Sequence, residues 1–224
     1  MKKRSVFLII CCIVIADQVL KIYIKTHYQA GESHAVLGNW FQLYFIENEG
    51  MAYGWKLGGE WGKMALTLFR LAAVIFGVFY IRKIIEKKYR KGFILCVALI
   101  FAGALGNLID SMFYGLIFEN SSMETYNIAK IFPAHGYAGF LHGNVVDMLY
   151  FPIIHTQLPS WVPFWGSNSF DFFSPIFNLA DASISTGIIT IFIFQKYFFK
   201  SNPSKTNTQS IETKTFVNDE VEVS

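Results

Sequence analysis

Four long apolar stretches divide the chain: about Ser5 to Ile24, Gly62 to Ile81, Phe93 to Met112 and Pro175 to Phe199. Each approaches the roughly 20 apolar residues that an α-helix needs to cross a bilayer, so the pattern predicts four transmembrane helices. The few polar residues inside them keep helical spacing. Asp17 and Lys21 stand i,i+4, while Asn107 with Asp110 and Asn178 with Asp181 stand i,i+3, so each pair shares a helix face. At roughly 1.5 Å per residue, Arg70 lies about 12 Å below the outer end of the second helix. On the same scale Asn178 and Asp181 lie about 5–10 Å inside the outer end of the fourth.

Between the helices the period changes. Residues 35–57 are aromatic and β-branched, alternate in part and are broken by glycines, which predicts short strands on the membrane surface. Residues 113–174 hold four prolines, Trp161, Trp165, Tyr137 and Tyr150. So long a connection without structure of its own is unusual unless functional, and its aromatic content suits an interface-hugging loop or helix. Residues 1–200 read as one four-helix unit with outer segments 25–61 and 113–174, and 201–224 as a polar, disordered cytoplasmic tail.

Composition supports a membrane class, with 53% of residues hydrophobic and only 16% charged, where soluble domains carry about a quarter. The net charge of +3 says less than its placement. Lys2, Lys3 and Arg4 precede the first helix, Arg82 to Lys91 crowd the link between the second and third, and Lys196, Lys200, Lys205 and Lys214 lie at the end. By the positive-inside rule these mark the cytoplasmic side, which leaves 25–61 and 113–174 outside. The same placement argues against a nucleic-acid role, because the basic clusters flank apolar spans. The first stretch is too long for a signal-peptide core and no small-x-small site follows it, so it is expected to be retained. Cys11, Cys12 and Cys96 lie within apolar runs and predict neither a disulfide nor a metal site.

Ionisable groups in a membrane are costly and by default mark function. Those of this chain gather toward the outer end, and Asp147, among the apolar residues of HGNVVDMLYF, is expected to dip toward them. Two carboxylates that share a site cannot both ionise easily, so one keeps a proton while the other activates water. Asp17, Asp110, Asp147 and Asp181 are the candidates, with Asp17 the one most simply paired to Lys21. His135 and His142 beside Asn144 and Asp147 lack metal-site spacing, and nothing favours a dyad of Ser121 or Ser122 with Lys130. The rival from another class is a transporter or channel component with a carboxylate relay. It would call for inverted repeats and polar groups near the midplane, and the sequence has neither.

DQVLK (Asp17 to Lys21), NEGMAYG (Asn48 to Gly54), GNLID (Gly106 to Asp110), VVDM (Val145 to Met148) and FNLAD (Phe177 to Asp181) follow one another in the chain. In that order they resemble the motifs of the bacterial lipoprotein signal peptidases (signal peptidase II), an intramembrane aspartyl peptidase family. The resemblance runs over about residues 14–190. It implies a fold of four transmembrane helices with a small outer β-cradle and an interfacial loop or helix. It implies a catalytic pair, Asp147 and Asp181, with Asp17, Lys21, Asn48, Gly50, Asn107, Asp110 and Asn178 supporting the site or touching substrate. It also implies cleavage of prolipoproteins just before a diacylglyceryl-modified cysteine, no metal or organic cofactor, and a site near the periplasmic face of the inner membrane. Lipids and substrate are the expected partners, and the chain is expected to act as a monomer. The family pattern carries Arg after GNLID where this chain has Ser111, and Arg70 is expected to supply that cation.

Overall fold

The computed structural model describes residues 1–49, 59–123, 126–152, 154–157, 159, 161, 169–172 and 175–200. Gly50, most of the NEGMAYG element and the expected tail at 201–224 lie outside them. Four helices are long and apolar enough to cross a membrane: α1 (Lys3–His27), α2 (Gly59–Glu86), α3 (Lys91–Ile109) and, after a short α4 (Gly115–Ile117), α5 (Leu179–Phe199). A turn of π-helix, Asp110–Tyr114, joins α3 to α4, so the third span runs on to Ile117. The expected helix ended at Met112; the wider turn carries the chain further and places the Asp110 and Ser111 side chains in the interior.

Strands β1 (Ser33–Leu37), β2 (Phe41–Asn48), β3 (Val145–Tyr150) and β6 (Ile176–Phe177) form one antiparallel sheet in the order β1-β2-β3-β6. Strands β4 (Ile154–Gln157) and β5 (Ser169–Phe172) pair separately. In the larger sheet Ile46 faces Asp147 and Asn48 faces Val145. Tyr150 and Leu149 pair with Ile176 and Phe177, so β6 runs straight into the start of α5. The fourth helix therefore begins at Leu179 rather than Pro175, because Ile176 and Phe177 are recruited as a sheet edge. Among the described residues between Ile117 and α5 there is no further helix.

The helices are amphipathic in reverse, polar inward and apolar outward. Asp17, Lys21 and Lys25 form a buried stripe on α1, while Ile15 and Val19 on its other side are 61% and 63% exposed. In a membrane that outer surface faces lipid, and the polar stripe faces protein partners. Close approach of the helices relies on small residues, as is common between membrane helices. A Cβ on Gly103 of α3 would stand 2.2 Å from the carbonyl oxygen of Ala180 on α5. Under the sheet, Ile24, Phe45, Tyr114, Phe118, Val146 and Met148 form an apolar cluster, and a second cluster around Ile84, Ile94 and Phe198 closes the opposite end.

Candidate active site

Asp147 sits mid-strand on β3 and is buried. Asn178 donates from Nδ2 to Asp147 Oδ1 at 2.7 Å, and Asn48 at the end of β2 donates to Asp147 Oδ2 at 3.1 Å. Asn178 is also the N-cap of α5, its Oδ1 accepting from the Asp181 backbone N–H at 2.8 Å. This is a common capping arrangement, with a short polar side chain taking up one of the helix's unpaired N–H groups. Asn178 thus holds both aspartates, one through its amide hydrogens and one through its oxygen. Asp181 stands in the first turn of α5, at the mouth of the helix and not the one to two turns inside that the apolar run predicted.

Behind Asp181 lies a continuous polar chain. Asn107 Nδ2 donates to Asp181 Oδ1 at 2.7 Å, and Asn107 Oδ1 accepts from Lys21 Nζ at 2.9 Å. Lys21, fully buried, lies 2.9 Å from Asp17 and 2.7 Å from Asp110. The predicted pair of Asp17 and Lys21 is therefore one side of a triad. The remaining Asp17 oxygen accepts from the backbone N–H of Ala180 at 2.9 Å, which links the triad to the turn that carries Asp181. Arg70 reaches across from α2 and donates to Ser111 Oγ at 2.6 Å, and Ser111 Oγ donates in turn to the Asn107 carbonyl at 2.9 Å.

The electrostatics follow from burial. Asp147 is pushed up to about 7, first by loss of water and then by the charge of Asp181; the hydrogen bonds from Asn48 and Asn178 pull the other way. A raised carboxyl beside a second carboxylate is the signature of a pair that shares a proton. Among the described residues no cluster of three His, Cys, Asp or Glu side chains could hold a metal ion.

Of the residues predicted from sequence, the fold brings Asp17, Lys21, Asn48, Arg70, Asn107, Asp110, Asn178 and Asp181 into one connected region around Asp147. Gly50 is outside the described residues. Sequence reasoning passed over Gln18, which donates to Asp110 at 2.8 Å and accepts from Tyr114 at 3.1 Å. It also passed over a second buried network. Lys25 bonds Glu47 and, at 3.2 Å, Ser121. Asn144 donates to the other Glu47 oxygen at 2.8 Å and accepts from Lys63. The stripe at 17, 21 and 25 on α1 was a signal that Lys25 faces inward.

The sequence pattern of the signal peptidase (SPase) II family matches residues 9–198. The chain belongs to that family. The lipoprotein signal peptidase of Porphyromonas gingivalis is 45% identical over 192 residues, covering 85% of this chain and 82% of the relative. That of Amoebophilus asiaticus is 36% identical over 181 residues, covering 80% and 72%. Two solved bacterial membrane enzyme structures share the fold, each with a TM-score of 0.55. One is 25% identical and covers 90% of this chain and 93% of its own; the other is 28% identical and covers 85% and 92%. As a signal peptidase II family member with four membrane-crossing helices, the chain is a multi-pass membrane protease.

Proposed function

We propose that this peptidase removes signal peptides from prolipoproteins, cutting just before the diacylglyceryl-modified cysteine, with Asp147 and Asp181 as the catalytic pair. The observation that carries the reading is the Asn178 bridge, which ties the buried Asp147 carboxyl on β3 to the backbone N–H of Asp181 in the first turn of α5. One of the pair, ionised, takes a proton from a water molecule as that water attacks the scissile carbonyl carbon. The other, protonated, donates to the carbonyl oxygen as the tetrahedral centre forms. Collapse of that centre passes a proton to the leaving nitrogen and restores the shared proton, with no covalent enzyme intermediate. Asn107, Lys21, Asp17 and Asp110 hold Asp181 from behind, and Asn48 holds Asp147 from the sheet. We read Arg70 as the cation of the site, held in place through Ser111. The basic residues at 2–4 and 82–91 support cytoplasmic termini and a site at the periplasmic face of an inner membrane. One copy supplies every residue invoked, which fits a monomer.

The test is cleavage of a diacylglyceryl-modified prolipoprotein in detergent micelles by the parent chain, Asp147→Asn and Asp181→Asn. Each folded variant is expected to lose about 10²–10⁴-fold or more in rate. The parent rate should fall as pH rises through about 7, where the pair loses its shared proton. Asn48→Ala removes a hydrogen bond that favours ionised Asp147 and should move that limb to higher pH. Near-normal cleavage by either aspartate variant would show that the pair is wrongly chosen.

A further inference from the structure

Beyond α4 the outer segment turns back along the helix it has just left. The backbone N–H groups of Phe132, Tyr137, Ala138, Leu141 and Gly143 donate to the carbonyls of Ile117, Phe118, Gly115, Met112 and Ser111, at 2.7, 3.2, 3.0, 3.3 and 2.9 Å. From Tyr137 onward the partners fall in residue number as the donors rise, so this segment runs antiparallel down the end of the third span. From the level of Ile117 to that of Ser111 it descends about 9 Å. On its other side Thr67 Oγ1, inside the second span, donates to the Leu141 carbonyl at 3.0 Å. The contact with α3 and α4 is tight: a Cβ on Gly143 would stand 2.0 Å from the Asp110 carbonyl oxygen, and one on Gly136 2.2 Å from that of Gly115.

Large apolar side chains point the other way. Phe132 is 79% exposed and Phe140 48%. The Phe140 ring meets that of Phe113, 5.7 Å between centroids, and Phe113 and Leu116 belong to the exposed apolar surface of the third span. Phe132 also holds a φ of +54°, a costly conformation for a bulky residue. Strain and exposure together give no advantage in water, whereas hydrocarbon around the ring would compensate both.

We propose that residues 131–143 are a re-entrant strap set in the hydrocarbon of the leaflet on the sheet's side, with Phe132 and Phe140 packed against lipid acyl chains. Irregular backbone survives at membrane depth only where protein satisfies its polar groups. Five of the strap's N–H groups meet that demand on carbonyls along the last turns of the third span and just beyond it. The occupant follows from continuity, since the strap extends the lipid-facing surface of a membrane-spanning helix without a polar break at the Phe113–Phe140 contact. The strap ends at Gly143, four residues before Asp147, so lipid packing on it bears on where β3 holds that carboxyl.

The test uses Phe132→Cys and Phe140→Cys, with the three native cysteines changed to alanine, each labelled with an environment-sensitive dye in phosphatidylcholine vesicles. Nitroxides on the lipid acyl chains are expected to quench both positions as strongly as a Leu116→Cys control, and iodide to quench them severalfold less than an Asn120→Cys control. Iodide quenching equal to the Asn120 control, with no acyl-chain quenching, would overturn the proposal. In the unsubstituted chain, a phosphatidylcholine bearing a mid-chain diazirine should label the peptide 131–143 as it labels the spans. Labelling of the spans alone would overturn it equally. Neither measurement depends on peptidase activity.

Discussion

Lys21 holds two carboxylates and an amide inside a membrane protein, and this decides how the site is supported. A lone ammonium there would be costly; between Asp17 and Asp110 it is paired, and its third contact fixes the Asn107 amide so that its N–H points at Asp181. At this scale DQVLK and VVDM were already legible in the sequence, because each lies within one helix or strand, whereas FNLAD straddles the end of β6 and the start of α5. The partnership of Arg70 with Ser111 was legible only in outline, since depth along a helix says nothing of which neighbour it meets. The 2.6 Å contact yields a specific expectation. Arg70→Ala should slow cleavage by about 10- to 100-fold, the equivalent of the ~1.5–3 kcal/mol that a hydrogen bond to a charged group contributes. Arg70→Lys should recover part of the rate, and adding Ser111→Arg to Arg70→Ala should recover more. Kinetics with kcat and KM resolved check this, and a fully active Arg70→Ala would remove Arg70 from the site.

Among the elements, α3 is the one on which the others are hung. It packs on α1, α2 and α5, and it can do so only because Gly103 and Gly106 leave room for the Ala180 carbonyl and for Asp17. Gly103→Ala puts a carbon 2.2 Å from a backbone oxygen that cannot swing aside. Overpacking of this kind costs about 1–3 kcal/mol, so the variant should show a lower Tm in detergent and reduced cleavage together. An unchanged Tm would mean that α5 tolerates displacement and that the close approach is not needed. All four spans were readable as apolar runs, and their ends were not. Ile176 and Phe177 are apolar enough to continue α5 backwards, and it took pairing with Tyr150 and Leu149 to make them a strand. The third span ran past its expected limit for the converse reason, a π-turn after α3 that no local pattern signals.

For the molecule as a whole, the buried Lys25–Glu47 pair joins α1 to the sheet, and Asn144 and Lys63 extend it to the start of β3 and to α2. Breaking a buried pair by removing one partner strands a charge and costs about 3–5 kcal/mol, whereas removing both costs far less. Lys25→Met and Glu47→Leu should therefore each lower stability sharply, and the double variant should be more stable than the sum of the two implies. Additive losses, read by thermal unfolding in detergent, would show that the two charges are not coupled. Membrane class, four crossings, the sidedness of charge and the aspartates to suspect all follow from the order of residues, because hydropathy and helical spacing are local properties. The link from Asp147 through Asn178 to Asp181, the threefold grip of Lys21, the Lys25–Glu47 link and the return of residues 131–143 along the third span belong to the folded chain. Each joins residues far apart in sequence, and a buried polar group's partner is set by whichever element packs beside it.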